Sequence, residues 1–120
     1  MTKKLTLVIG ASENLSRYSN MAIRSLRTHG HPVLALAKRE GQVGDVRIQT
    51  EFPTEEINTV TLYVGPQHQP EYYDKVRKLK PRRVIFNPGT ENPEFENLLE
   101  ENDIEVVEAC TLVMLSVGNY

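Results

Sequence analysis

Tryptophan is absent from this 120-residue chain and cysteine occurs once. A lone cysteine cannot close an internal disulfide, so the core alone must hold the fold, and a reducing, cytoplasmic setting is expected. Hydrophobic residues make up 39% of the chain, enough for a core, yet no apolar run approaches the length needed to cross a bilayer. The apolar stretch behind Lys3-Lys4 gives way to polar residues from Glu13 onward, so no secretory signal is expected. No membrane association is expected. Excess basic charge is missing too: the net charge of −2 argues against non-specific nucleic-acid binding. His29, His31 and His68 have no neighbouring acid or thiol to complete a coordination sphere, so no metal is expected.

What is present is a strand, a glycine turn and a helix at the start of the chain. Leu5-Thr6-Leu7-Val8-Ile9 is long enough for one buried strand and too short for a core helix. It stops at Gly10-Ala11-Ser12-Glu13-Asn14. A helical pattern then runs to about His29, with Ser16 or Ser19 as its expected cap and Ala22, Ile23 and Leu26 facing inward. Gly30 and Pro32 end it. The amides of such a turn, together with the helix N-terminus, suit a phosphate.

Four further apolar runs follow: Val33–Ala37, Val60–Val64, Arg83–Phe86 and Ile104–Val107. A helix is predicted over Gln69–Leu79, and another after Asn92, which caps it with Pro93 at the first position. Gln42–Thr59 is irregular, with room for a short strand near Val46–Ile48 and no full helix. The basic cluster Lys75–Arg83 and the acidic stretch Glu91–Glu108 read as solvated faces of neighbouring helices. The apolar tail Leu112–Leu115 is ambiguous between helix and strand, and it suits a sheet cover or a homodimer contact. Strands alternating with helices predict an α/β, Rossmann-like three-layer domain over residues 1–120. Its five-stranded parallel sheet is expected in the order 3-2-1-4-5, counting Val60–Val64 as the third strand, with helices on both faces.

Ligands of such sheets bind beyond the carboxyl ends of the strands, where strand order reverses. That edge collects Gly10–Arg17, Lys38–Gly41, Gly65–Gln69, Asn87–Thr90 and Ala109–Thr111. A plain nicotinamide dinucleotide fits poorly. Of the three fingerprint glycines only Gly10 is present, Ser12 and Leu15 standing at the other positions. The second strand ends in Lys38-Arg39 rather than an acid, which suits a ligand with an extra phosphate on its ribose. A phosphorylated dinucleotide and coenzyme A both answer that description. No catalytic set stands out: Cys110 and His68 have no supporting spacing, and Glu100-Glu101 point in different directions on a helix.

The run Val8-Ile9-Gly10-Ala11-Ser12-Glu13-Asn14-Leu15-Ser16-Arg17-Tyr18-Ser19 resembles the opening of the small CoA-binding domain proteins. That family is similar to the N-terminal domain of the succinyl-CoA synthetase alpha subunit. His31-Pro32-Val33, Val43-Gly44-Asp45, Gly89 and Cys110 extend the likeness over nearly the whole chain, while Thr111 departs from the commoner Cys-Pro pattern. The resemblance implies a nucleotide-binding module for coenzyme A or an acyl-CoA, with no chemistry of its own. Gly10, Ala11 and Ser12 would lie under the pyrophosphate, beside Asn14, with Arg17 and Ser19 adding contacts. Lys38 and Arg39 would reach the ribose phosphate, Gly65 and Pro66 would wall the adenine side, and Gly89 would admit the pantetheine arm. Cys110 is either a small half-buried apolar residue or a thiol placed near that of the ligand. Two other readings stay open: an NADP-binding reductase-like domain, and an interaction domain that has lost its ligand.

Overall fold

The computed structural model describes residues 3–120. In chain order the elements are β1 (Thr6–Ile9), α1 (Tyr18–Thr28), β2 (Val33–Leu36), β3 (Gly41–Val43), β4 (Val46–Gln49), β5 (Thr59–Leu62), α2 (Tyr73–Leu79), β6 (Arg83–Phe86), α3 (Pro93–Glu101), β7 (Glu105–Glu108) and α4 (Thr111–Val117). Two single 3-10 turns, Pro66–His68 and Pro70–Tyr72, precede α2. The seven strands form one sheet in the order β3-β4-β2-β1-β5-β6-β7, in which only the β3–β4 pair is antiparallel.

This corrects the expected five-stranded 3-2-1-4-5 sheet. The strand expected third, β5, pairs with the far side of β1. The place beside β2 belongs to β4, the short strand expected near Val46–Ile48 but left out of the sheet order. Residues after β2 swing outward to the sheet edge as β3, turn at Gly44, and return as β4 parallel to β2. No crossover helix is needed, because a hairpin does the reversal. With β4 counted, the parallel strands follow the 3-2-1-4-5-6 order of a doubly wound sheet.

Burial on both faces follows from alternation along each strand. On β1, Leu7 and Ile9 point into one core with Tyr72, Val76, Phe95 and Leu99 from the α2–α3 side. Val8 points the other way, to Ile23 and Leu26 of α1 and Leu115 of α4. Strands covered on both sides are buried along their length, as β1, β5 and β6 are apart from the half-buried Arg83, with Thr6, Thr59 and Thr61 as their buried polar members. Phe95 meets the Phe86 ring edge-on at 5.7 Å and the Tyr73 ring at 4.5 Å.

The helix ends divide between expectation and correction. Asn92 caps α3 through its Oδ1, which accepts from the Phe95 amide at 3.3 Å, with Pro93 first in the helix. Gly30, at φ +82°, follows the last residue of the α1 cap. Neither Ser16 nor Ser19 caps α1, however; Arg17 holds that position without a side-chain bond, and Ser19 is buried inside the first turn. The helix expected from Gln69 starts at Tyr73, since Pro66 and Pro70 confine the preceding residues to 3-10 turns. The apolar tail is helical, burying Met114 and Leu115 and leaving Val113 and Val117 exposed. Among the described residues no helix is long and apolar enough to cross a membrane.

Candidate functional site

Gly10 ends β1 with φ +96°. A Cβ built there would lie 3.0 Å from the Tyr63 carbonyl carbon and oxygen and from Val64 Cγ1, so the close approach of this turn to the β5 end requires glycine. The Gly10 and Ala11 amides both donate to the Leu36 carbonyl, at 2.9 and 3.1 Å. They clamp the turn onto β2 and are therefore not the donors expected to face a phosphate. Among the described residues the Ser12 amide has no acceptor, nor do those of Tyr18 and Ser19 in the first turn of α1. Asn20 fixes their relative position: its Nδ2 donates to the Ser12 carbonyl at 2.9 Å, and its Oδ1 accepts from Arg24 Nε. This buried asparagine was not legible as a site residue beforehand.

Three adjoining hollows lie along the carboxyl edge around this turn. One of about 400 Å³ is lined by Ala11, Ser12, Asn14, Lys38 and Arg39, with the acids Glu13 and Glu40. A second, of about 450 Å³, runs between the ends of β2 and β5 past Gly10, Lys38, Val64, Gly65, His68 and Tyr72. A third, of about 460 Å³, spans from Gly10–Ser12 and Arg17–Ser19 to Pro88–Thr90. The structure thus brings together Gly10, Ala11, Ser12, Asn14, Arg17, Ser19, Lys38, Arg39, Gly65 and Gly89. Pro66 and Cys110 line none of the three; Pro66 opens a 3-10 turn, and Cys110 is the half-buried residue that precedes α4. Leu15, which stands at a fingerprint glycine position, is 67% exposed and so does not crowd the helix–strand contact. The loop from Ser12 to Arg17 carries it into solvent before α1 begins.

The acids near the turn are engaged elsewhere. Glu13 accepts from the Gln42 amide at 2.9 Å, tying the turn to the β3 edge. Glu40 pairs with Arg47 at 3.3 Å, and Glu71 with Lys38. Among the described residues, Arg17 and Arg39 have no acidic partner. The floor is a buried polar network. Asn87 donates to Thr61 Oγ1 at 2.6 Å and the Leu62 carbonyl at 2.8 Å, and accepts from the Thr111 amide at 2.9 Å. Among the described residues no group of three or more His, Cys, Asp or Glu side chains is placed to hold a metal ion.

Tyr63 lines two hollows while its hydroxyl is buried without a well-formed hydrogen bond. The hydroxyls of Thr61 and Thr111 lie near but bond each other at 2.8 Å. Burial pushes its pKa up to about 12, and proximity to Cys110 adds to the shift. Because the folded value exceeds the unfolded one near 10, the stabilisation is complete below about pH 10 and is lost as pH rises toward 12. Between those pH values the wild type is expected to lose about 2 kcal/mol more than Tyr63→Phe in urea unfolding. At pH 7, Tyr63→Phe should cost nothing, since the hydroxyl it removes has no partner to leave behind. Equal alkaline losses in both proteins would contradict this.

A parallel sheet with hollows grouped where strand order reverses defines a doubly wound α/β domain of the kind that binds ligands at its switch point. The chain belongs to the family described as the CoA binding domain, whose model matches residues 4–116. It is similar to a solved structure described only as an uncharacterized protein, with 46% identity, TM-score 0.96 and 100% of both chains covered. A hypothetical protein from Pyrococcus horikoshii OT3 is 26% identical over 96% of this chain and 82% of its own, at TM-score 0.84. A protein from Thermus thermophilus, 24% identical, shares the fold at TM-score 0.87 over 98% of this chain and 91% of its own. No curated protein sequence matches the chain with significance.

Proposed function

We propose that this protein binds coenzyme A or an acyl-CoA along its carboxyl edge and carries out no reaction on it. The observation that carries the reading is the placement of cations at two ends of one turn. Arg17 lines the hollow on the α1 side of Gly10–Ser12, and Lys38 and Arg39 line the hollow on the β2 side. Two separated anionic groups on one elongated ligand match that arrangement, a diphosphate at the first and a sugar phosphate at the second. The Ser12, Tyr18 and Ser19 amides and the α1 N-terminus supply donors to the diphosphate, and the Arg17 guanidinium can fork onto it. Adenine suits the second hollow, whose walls include Val64, Gly65 and the Tyr72 ring. The pantetheine arm leaves over Gly89, where no atom lies within 4 Å of a built Cβ and a chain can pass.

The binding reading gives the thiol of Cys110 no part in the site. His68 lines one of the hollows and Cys110 lines none, so the thiol and imidazole weighed as a nucleophile and base do not meet there. Thermal unfolding tests the reading cheaply. CoA at a hundred times its dissociation constant should add about 2.7 kcal/mol, while NADP at the same concentration should add much less. The reverse order would favour a reductase-like domain, and no response to either would favour an interaction module.

A further inference from the structure

Lys38 is held away from the place where a sugar phosphate would want it. Its side chain lines the hollow beside Ser12 and Arg39, but its ammonium is paired with the Glu71 carboxylate and lies 5.7 Å from the Tyr72 ring centre. Glu71 belongs to the Pro70–Tyr72 turn, across the second hollow from the end of β2. It also lines a smaller hollow of about 100 Å³ with Phe52 and Lys75, and it is absent from the walls of the hollow that holds Arg39. The hydrogen bond to Glu71 raises the Lys38 pKa, so the lysine stays charged throughout the neutral range. The two side chains are 75% and 45% exposed. Such a pair is weak and accessible, and an incoming dianion can break it.

We infer that Glu71 is a specificity-determining residue, competing with the sugar phosphate of the ligand for the Lys38 ammonium. The inference rests on the reading that Lys38 and Arg39 receive this group. It follows that the native site prefers a 3′-phosphorylated nucleotide less strongly than its two cations alone would dictate. Glu71→Gln keeps the size of the side chain and removes the charge, so the preference should sharpen.

Calorimetric titration of CoA and dephospho-CoA into the wild type, Glu71→Gln, Lys38→Met and the double variant tests this. In Glu71→Gln the ratio of CoA to dephospho-CoA affinity should rise about three- to fivefold, with dephospho-CoA itself little changed. On the Lys38→Met background the same substitution should change the ratio less than about twofold, because the competition is gone. An unchanged or smaller ratio in Glu71→Gln, with CoA still bound, overturns the inference and leaves the binding reading intact. A gain that persists without Lys38 overturns it as well, since the effect would then not run through the lysine. If no variant binds CoA, the binding reading itself is overturned and this inference falls with it.

Discussion

Gly10→Ala is expected to lower the unfolding free energy by about 2–4 kcal/mol and to abolish stabilisation by CoA. Two separate costs add at this position. The backbone sits at φ +96°, where an L side chain is strained. The new methyl would also lie 3.0 Å from the Tyr63 carbonyl and Val64 Cγ1, and the carbonyl belongs to the backbone at the end of β5, which cannot swing aside as a side-chain tip can. Relief requires β1 and β5 to part at their carboxyl ends, which opens the turn that holds the Ser12 amide. Gly89→Ala separates the two costs. Its φ is +92°, but nothing lies within 4 Å of a built Cβ, so only the backbone strain remains, about 1–2 kcal/mol. Urea unfolding of both variants checks the ranking. Equal losses would mean that the approach of Tyr63 to Gly10 is not what demands glycine there.

Asn87→Ala should cost about 2–4 kcal/mol, again by urea unfolding with an unchanged slope. Asn87 is 2% exposed and satisfies three groups at once: the Thr61 hydroxyl, the Leu62 carbonyl and the Thr111 amide. Alanine leaves the latter two without a partner in a place water does not reach. The penalty is desolvation of the abandoned groups, larger than the net worth of the bonds themselves. A loss under 1 kcal/mol would show that water or a local shift replaces those bonds.

The two halves of the fold differ in how far they could be read from residues alone. The Leu5–Ile9 run, the Gly10 turn and the Gly30-His31-Pro32 stop lie within one local βα unit, and each matches what the structure shows. The Asn92-Pro93 start of α3 was equally local. Strand order was not. β1, β2, β5 and β6 are all short runs rich in aliphatic and β-branched residues, and nothing in a doubly covered strand names its neighbour. The order turned on β4, expected as a short strand but given no place in the sheet: of its four residues only Val46 and Ile48 are buried, among polar neighbours. A strand next to the sheet edge carries a half-strength signal.

The site divides in the same way. Gly10, Ser12, Arg17, Lys38 and Arg39 were visible because a turn and the end of a strand announce themselves by composition. Asn20, Asn87, Tyr63 and Glu71 were not, because their roles depend on partners such as Ser12, Thr111, Thr61 and Lys38 that only the tertiary fold brings near. Glu13 is the clearest case. In the chain it is one more polar residue in a loop, and in the fold it reaches the Gln42 amide at the sheet edge.

On the proposed reading, one bend holds a diphosphate while cations beyond it engage a second phosphoryl group on the sugar. Isothermal titration of CoA, dephospho-CoA and ADP into the unmodified protein at fixed, moderate salt addresses both parts at once. Tightest binding is expected for CoA, with dephospho-CoA weaker by about tenfold, the loss of one charge-assisted contact. ADP, lacking both the sugar phosphate and the arm, should be weakest. Affinity for CoA no greater than for ADP would contradict the account, leaving a doubly wound fold whose ligand edge is built for something else.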